Sequence, residues 1–136
     1  MLFRSLIAEA WRWKQQMGGA MRQAGIVAAG CLYALDHNVE RLAEDHENAR
    51  VLAEGLAELD GVELDPEAVE TNIVVFDVPD AEAFCTALER AGVRMGPFGP
   101  RRVRAVTHLD VDRAGIERAI AAAEAALRAG RSVAAQ

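Results

Sequence analysis

Lysine is almost missing from this chain: Lys14 is the only one in 136 residues. The remaining basic side chains are arginines, outnumbered and interspersed with acids, and the formal net charge is −6. An extended nucleic-acid surface needs a basic face, which this balance excludes, and the cluster Arg101, Arg102, Arg104 is too short to reverse it. Cysteine is scarce too. Cys31 and Cys85 sit in apolar helical patterns with no cysteine or histidine at metal spacing, so no metal site is expected and both read as free, buried thiols of a reducing compartment. Long apolar runs are lacking at the start, where MLFRSLIAEAW carries Arg4 and Glu9 early. Neither a signal peptide nor a membrane span follows, and a cytoplasmic protein is expected. His37, His46 and His108 have no serine, cysteine or carboxylate at a spacing that argues for a nucleophilic triad. There is no internal repeat and no low-complexity linker.

What is present turns on Met17 to Leu35, MGGAMRQAGIVAAGCLYAL. Gly18, Gly19 and Ala20 allow unusual dihedrals and close approach. Free amides at the following helix start, with Arg22 beside them, favour an anion. The helix is predicted from about Met21 to His37, with hardly a polar side chain on any face. Such a helix is expected to be buried on all sides, against another subunit or a further domain.

The rest reads as an ordered set of elements. Leu6, Ala10 and Trp13 recur at helical spacing. Asn38 is expected to cap a helix with the inner face Leu42, Ala49, Leu52, Leu56 and Leu59, and with Glu40, Glu44, Asp45 and Glu47 on its wet side. Strands are expected at Val62–Leu64, Asn72–Val78, Val93–Met95 and Arg102–Thr107. Asp80 should cap a helix stopped by Gly92, and Asp112 a last helix with the stripe Ile116, Ile120, Ala123 and Leu127. On the last strand Val103 and Ala105 share one face, Arg102, Arg104 and Val106 the other. A planar guanidinium grips a carboxylate through two parallel hydrogen bonds, which makes Arg104 the first candidate for binding chemistry. This order implies one α+β domain: a small sheet of three to four strands with helices on one face, preceded by a long apolar helix.

MGGAMRQAG followed by LYALDHNVERLAEDHENAR resembles the low-specificity L-threonine aldolases, pyridoxal-phosphate lyases of fold type I. TNIVV at 71–75 and RVRAVTHLDV at 102–111 add two more signatures in the family's order, so that the likeness covers Leu6 to Leu127. It implies the C-terminal small domain of such an enzyme. Residues 1–20 would then be a connecting helix and glycine loop from a large domain, 21–130 the small domain with its leading helices, and 131–136 a frayed tail. Met1 reads as an arbitrary start.

By the same resemblance, Arg104 binds the substrate's α-carboxylate, and Arg22 helps hold the cofactor phosphate across a dimer interface. The basic residue that many relatives carry three places before the glycines is Gln15 here. His108 is left to orient a loop. No catalytic residue is assigned, because the Schiff-base lysine, the pyridine-pairing aspartate and the catalytic histidines belong to the large domain. The implied activity of the whole enzyme is retro-aldol cleavage of L-threonine or L-allo-threonine to glycine and acetaldehyde, with pyridoxal 5'-phosphate bound there and none by this chain alone. The 21–36 helix is expected to meet a second copy or the large domain. The competing expectation is a non-catalytic interaction or oligomerisation module. A regulatory domain that binds a carboxylate is a third.

Overall fold

A computed structural model describes residues 2–134, with side chains for 3–130. The expected arbitrary start at Met1 lies outside them. The chain divides into two units, Met1–Val39 and Glu40–Gln136.

The first unit holds helices α1 (Leu2–Gln16) and α2 (Ala24–His37). Gly18 has φ +75°, and its N–H donates to the Gln15 carbonyl at 3.3 Å while Gly19 N–H donates to the Lys14 carbonyl at 2.9 Å. This pair of back-bonds is a Schellman cap, so the glycines first serve to end α1. Met21 to Gln23 are spent on a turn, and α2 starts at Ala24 rather than Met21. The long apolar helix expected there is therefore only 14 residues long. None of its residues is buried, and Ile26, Leu32, Tyr33 and Leu35 are all exposed. Burial on all sides is thus not met among the described residues. Cys31 is exposed as well, against expectation, whereas Cys85 is buried. Asn38 N–H donates to the Ala34 carbonyl, closing α2 instead of opening the next helix.

In the second unit, α3 (Leu42–Ala57) begins after Arg41 with no side-chain cap. The sheet follows as β1 (Ile73–Asp77), β2 (Gly96–Pro97) and β3 (Arg102–Val106), with α4 (Ala81–Arg90) between β1 and β2 and α5 (Arg113–Ala134) last. β3 is central and antiparallel to both neighbours, with Val75 and Gly96 opposite Arg104. Val74, Phe76, Val103 and Ala105 point into a core with Leu52, Leu56, Phe84, Leu88, Ile116 and Ala123. Each large side chain buried this way contributes about 1.5–3 kcal/mol. The alternate residues Ile73, Val75, Arg102, Arg104 and Val106 are exposed, so one sheet face is open. This is the α+β layer expected, with helices on one face.

Two expected strands are absent for local reasons. Val93 N–H bonds back to the Leu88 carbonyl in the cap at Gly92 (φ +78°), which draws it to α4 and moves pairing on to Gly96–Pro97. Val62–Leu64 is cut short before Pro66, and only Glu63 bridges to Asp77. Asp80 and Asp112 cap α4 and α5 as read, accepting from the N–H groups of Ala83 and Gly115 at 2.9 and 2.7 Å. Leu42 is exposed, and α3's buried face runs through Asp45, Asn48, Ala49, Leu52, Ala53 and Leu56. Of the tail expected to fray, residues to Ala134 continue α5, while Ala135 and Gln136 lie outside the described residues.

Helices α3 and α5 touch closely at Gly55, where an added Cβ would run into the Ile120 side chain. Gly55→Ala is expected to destabilise the unit by about 1–3 kcal/mol through overpacking. Ile120→Ala in the same chain should return part of that loss. Urea unfolding of the two single variants and the double one measures the coupling, and strictly additive losses would remove the steric explanation.

Candidate functional site

The arginines of β3 and its approach meet different fates. Arg102 makes a two-pronged bond to Asp77, Nε to Oδ1 and Nη2 to Oδ2, each at 2.8 Å. Arg101 Nη2 lies 2.5 Å from Glu63 Oε1, and its Nε donates to the Val78 carbonyl at 3.3 Å. Arg104 is exposed on the open face, and its guanidinium has no hydrogen bond or ion pair among the described residues. Of the three it alone is uncommitted.

The Arg102 guanidinium, through its hydrogen bonds, holds the Asp77 carboxyl below its ordinary value; partial desolvation opposes this, and the charges of Arg102 and Arg101 add to it. A carboxyl lowered in the folded state stabilises above its unfolded value and loses that contribution as pH falls through the lowered one. Asp77→Asn is therefore expected to flatten the fall in stability that begins near the ordinary value of 3.8. The effect should be small, because the pair is open to solvent and screened by salt. Urea midpoints between about pH 5 and pH 2.5 measure it, and an unchanged slope would contradict it.

What positions Arg104 is a polar tie at the end of its strand. Thr107, 1% exposed, donates from Oγ1 to the Asp45 carbonyl at 2.6 Å. Asn72 Nδ2 donates to the Thr107 carbonyl at 2.8 Å, and Thr107 N–H returns a bond to the Asn72 carbonyl at 3.0 Å. Asn48 Nδ2 reaches the Val111 carbonyl at 3.1 Å. Asp45 itself is only 3% exposed, not on the wet side of α3 as expected. Arg41 holds its carboxylate with two bonds, at 2.9 and 3.2 Å. Asp45 falls four and seven residues before Ala49 and Leu52, so the helical period already placed it on the inner face. His108 accepts from Asp110 N–H at Nδ1, at 3.3 Å, and its carbonyl accepts from Val111, organising the turn into α5.

Arg22 lies in the first unit, exposed in the turn before α2 and without a partner among the described residues. Lys14 sits on exposed α1 with Nζ 4.6 Å from the Trp11 ring centroid, a cation–π pair. It is the only lysine of the chain, and it is exposed. His37 stacks on Tyr33 at 4.1 Å and donates to its carbonyl, and His46 is exposed. Among the described residues no group of three or more potential metal ligands occurs, and no helix is long and apolar enough to cross a membrane.

A chain of this sequence and fold has clear relatives. Residues 1–79 match the family model of the beta-eliminating lyases, and the chain belongs to that family. More particularly, it is 41% identical over 112 residues to a protein of Arabidopsis thaliana named "Probable low-specificity L-threonine aldolase 2", covering 78% of this chain and 32% of that one. It is 40% identical over 110 residues to the low specificity L-threonine aldolase of Escherichia coli, covering 81% and 32%. The chain thus spans about a third of the length of the curated relatives it matches. Among solved structures, a variant of SPT with PLP superposes with TM-score 0.60 at 26% identity, over 71% of this chain and 27% of that one. An S-selective transaminase from Arthrobacter sp. with alanine bound shares the fold alone, with TM-score 0.53 at 15% identity, over 76% and 27%. The architecture is that of fold type I pyridoxal-phosphate enzymes.

Proposed function

We propose that this chain is the C-terminal portion of a pyridoxal-phosphate-dependent threonine aldolase, a cytoplasmic enzyme that cleaves L-threonine or L-allo-threonine to glycine and acetaldehyde. Residues 1–20 connect to a large domain, 21–130 form the small domain with its leading helices, and 131–136 are its tail. The observation that carries the reading is Arg104, the one guanidinium of its cluster left free, on an open sheet face. There it binds the α-carboxylate of the amino-acid substrate through two parallel N–H donors and so fixes how the Cα–Cβ bond is presented. Arg22 contributes to the cofactor phosphate, and α2 contributes to the oligomer or to the seat of the large domain. The cofactor, held by the large domain, supplies the electron sink for cleavage.

With Lys14, exposed on α1, as its only amine side chain, the chain alone is catalytically silent. An absorbance scan of the purified chain with pyridoxal phosphate, before and after glycine, tests this. No protein-dependent imine band near ~420 nm is expected. A protein-dependent band that borohydride abolishes in the parent with the cofactor left covalently attached, and that Lys14→Ala does not show, would make Lys14 the attachment point and overturn the reading.

The exposed apolar residues of α2 favour a second reading, a non-catalytic module that oligomerises through this helix. Sedimentation at several concentrations separates the two when paired with turnover. Association without any capacity to complete an aldolase favours the module.

A further inference from the structure

The sheet order β1-β3-β2 leaves β1 and β2 as the two edge strands. β2 is only two residues long and holds Pro97, which blunts that edge. β1 instead runs Ile73-Val74-Val75-Phe76, with no proline and no charge until Asp77. Asn72 and Val78 bond toward β3, through the Thr107 N–H and the Arg101 carbonyl. Bonding direction alternates along a strand, so Ile73, Val75 and Asp77 turn their N–H and C=O groups to the outer edge. Asp77 is paired there, exchanging two bonds with Glu63 at 2.9 and 3.0 Å. An antiparallel fourth strand running on from Glu63 would next lie opposite Val75 and Ile73. The chain turns off instead, into the 3-10 turn Pro66–Ala68. The outward backbone groups of Val75 and Ile73 therefore have no backbone partner among the described residues.

The place that this strand vacates is an open groove, with Leu64, Ala68 and Val69 along one wall and Ile73 and Val75 along the other. Its charges are unevenly matched. Glu63 is held by Arg101 and Asp77 by Arg102. Asp65 on the groove, and Glu67 and Glu70 on the same loop, have no ion pair among the described residues. A second copy of β1 would bring the same carboxylates to the seam, where like charges repel. An extended basic segment meets the backbone groups, the apolar wall and the charge together, and strand addition to an exposed edge is a general mode of peptide capture. We propose that the outer edge of β1 docks an extended, lysine- or arginine-bearing segment of a partner protein, which adds as a fourth strand opposite Ile73 and Val75. Arg104 takes no part in it.

The full 136-residue chain is titrated with acetyl-KVTVK-amide at low ionic strength, following the amide signals of residues 72–78 and their hydrogen exchange by NMR. Exchange should slow at Ile73 and Val75 and stay unchanged at Val74 and Phe76, which already face β3. The same peptide N-methylated at its valines keeps its charge but loses the donors that face β1, and should bind about tenfold or more weakly. So should acetyl-EVTVE-amide. Glu67→Gln with Glu70→Gln should weaken the basic peptide, while Glu82→Gln with Glu89→Gln, on α4, should not. Equal binding of the N-methylated peptide, or unchanged exchange at Ile73 and Val75, overturns strand addition. An equal loss from the α4 pair reduces the effect to general charge and overturns the docking site. Concentration-dependent association without peptide, protecting the Ile73 and Val75 amides, would place a second copy on the edge and overturn the basic partner.

Discussion

Arg41→Ala is expected to cost about 3–5 kcal/mol of stability, because it leaves the buried Asp45 carboxylate without its partner. The pair is unusual in this chain. Arg50–Glu54 and Arg128–Glu124 lie in the open, where such contacts are worth a few tenths of a kcal/mol. The Asp45 side chain is 5% exposed and that of Arg41 20%, and the bond is two-pronged. Removing one member of a desolvated pair exposes the full cost of burying the other. In urea, with m near 1–3 kcal/mol/M for a domain of this size, the midpoint should fall by at least about 1 M. The double change Arg41→Leu with Asp45→Leu should be less damaging than Arg41→Ala, since no charge is then stranded. An Arg41→Ala variant as stable as the parent would mean that Asp45 takes its stabilisation elsewhere.

The same tie gives that loss a functional echo. The Asp45 carbonyl receives the Thr107 hydroxyl, and Thr107 ends the strand that carries Arg104. Loosening the start of α3 therefore frees the end of β3. Arg41→Ala should broaden the amide signals of 105–108 before it unfolds the unit.

The second large effect is on binding. Arg104→Ala, made in a complete enzyme whose C-terminal third is replaced by this chain, should raise KM for threonine by about 10²-fold or more, near 2.7 kcal/mol. Arg104→Lys should fall between, because an ammonium keeps the charge but loses the planar fork. Cofactor absorbance should be unchanged in both, since Arg104 is assigned to substrate and not to cofactor. If Arg102→Ala raises KM as much as Arg104→Ala does, the assignment of the free arginine fails. Arg102 is bonded to Asp77, and its removal should chiefly lower stability.

Much of this was legible in the residues. Period-two alternation in Arg102–Val106 separated the core side chains from the open-face ones, and the structure keeps that division. Asp80, Gly92 and Asp112 gave caps because short polar side chains and glycine do that locally, whatever they pack against. The failures came where tertiary partners decide. Nothing local says that Arg101 and Arg102 are neutralised by Glu63 and Asp77, from 38 and 25 residues away, and that Arg104 is left free. Asp45 was misplaced because its acidic neighbours outweighed its phase with Ala49 and Leu52. Gly18 and Gly19 close α1 through backbone bonds, a local role that the glycine-rich composition of the loop does not by itself specify. The apolar α2 illustrates the opposite limit: its composition asks for burial, and among the described residues none of it is buried.

The most direct measurement is turnover of a chimera in which this chain replaces the matching third of the Escherichia coli low specificity L-threonine aldolase. Acetaldehyde release from L-threonine and L-allo-threonine is followed, with cofactor absorbance and circular dichroism confirming a loaded, folded protein. Turnover well above that of the truncated enzyme is expected. A folded, cofactor-loaded chimera that neither cleaves these substrates nor binds glycine would contradict the account.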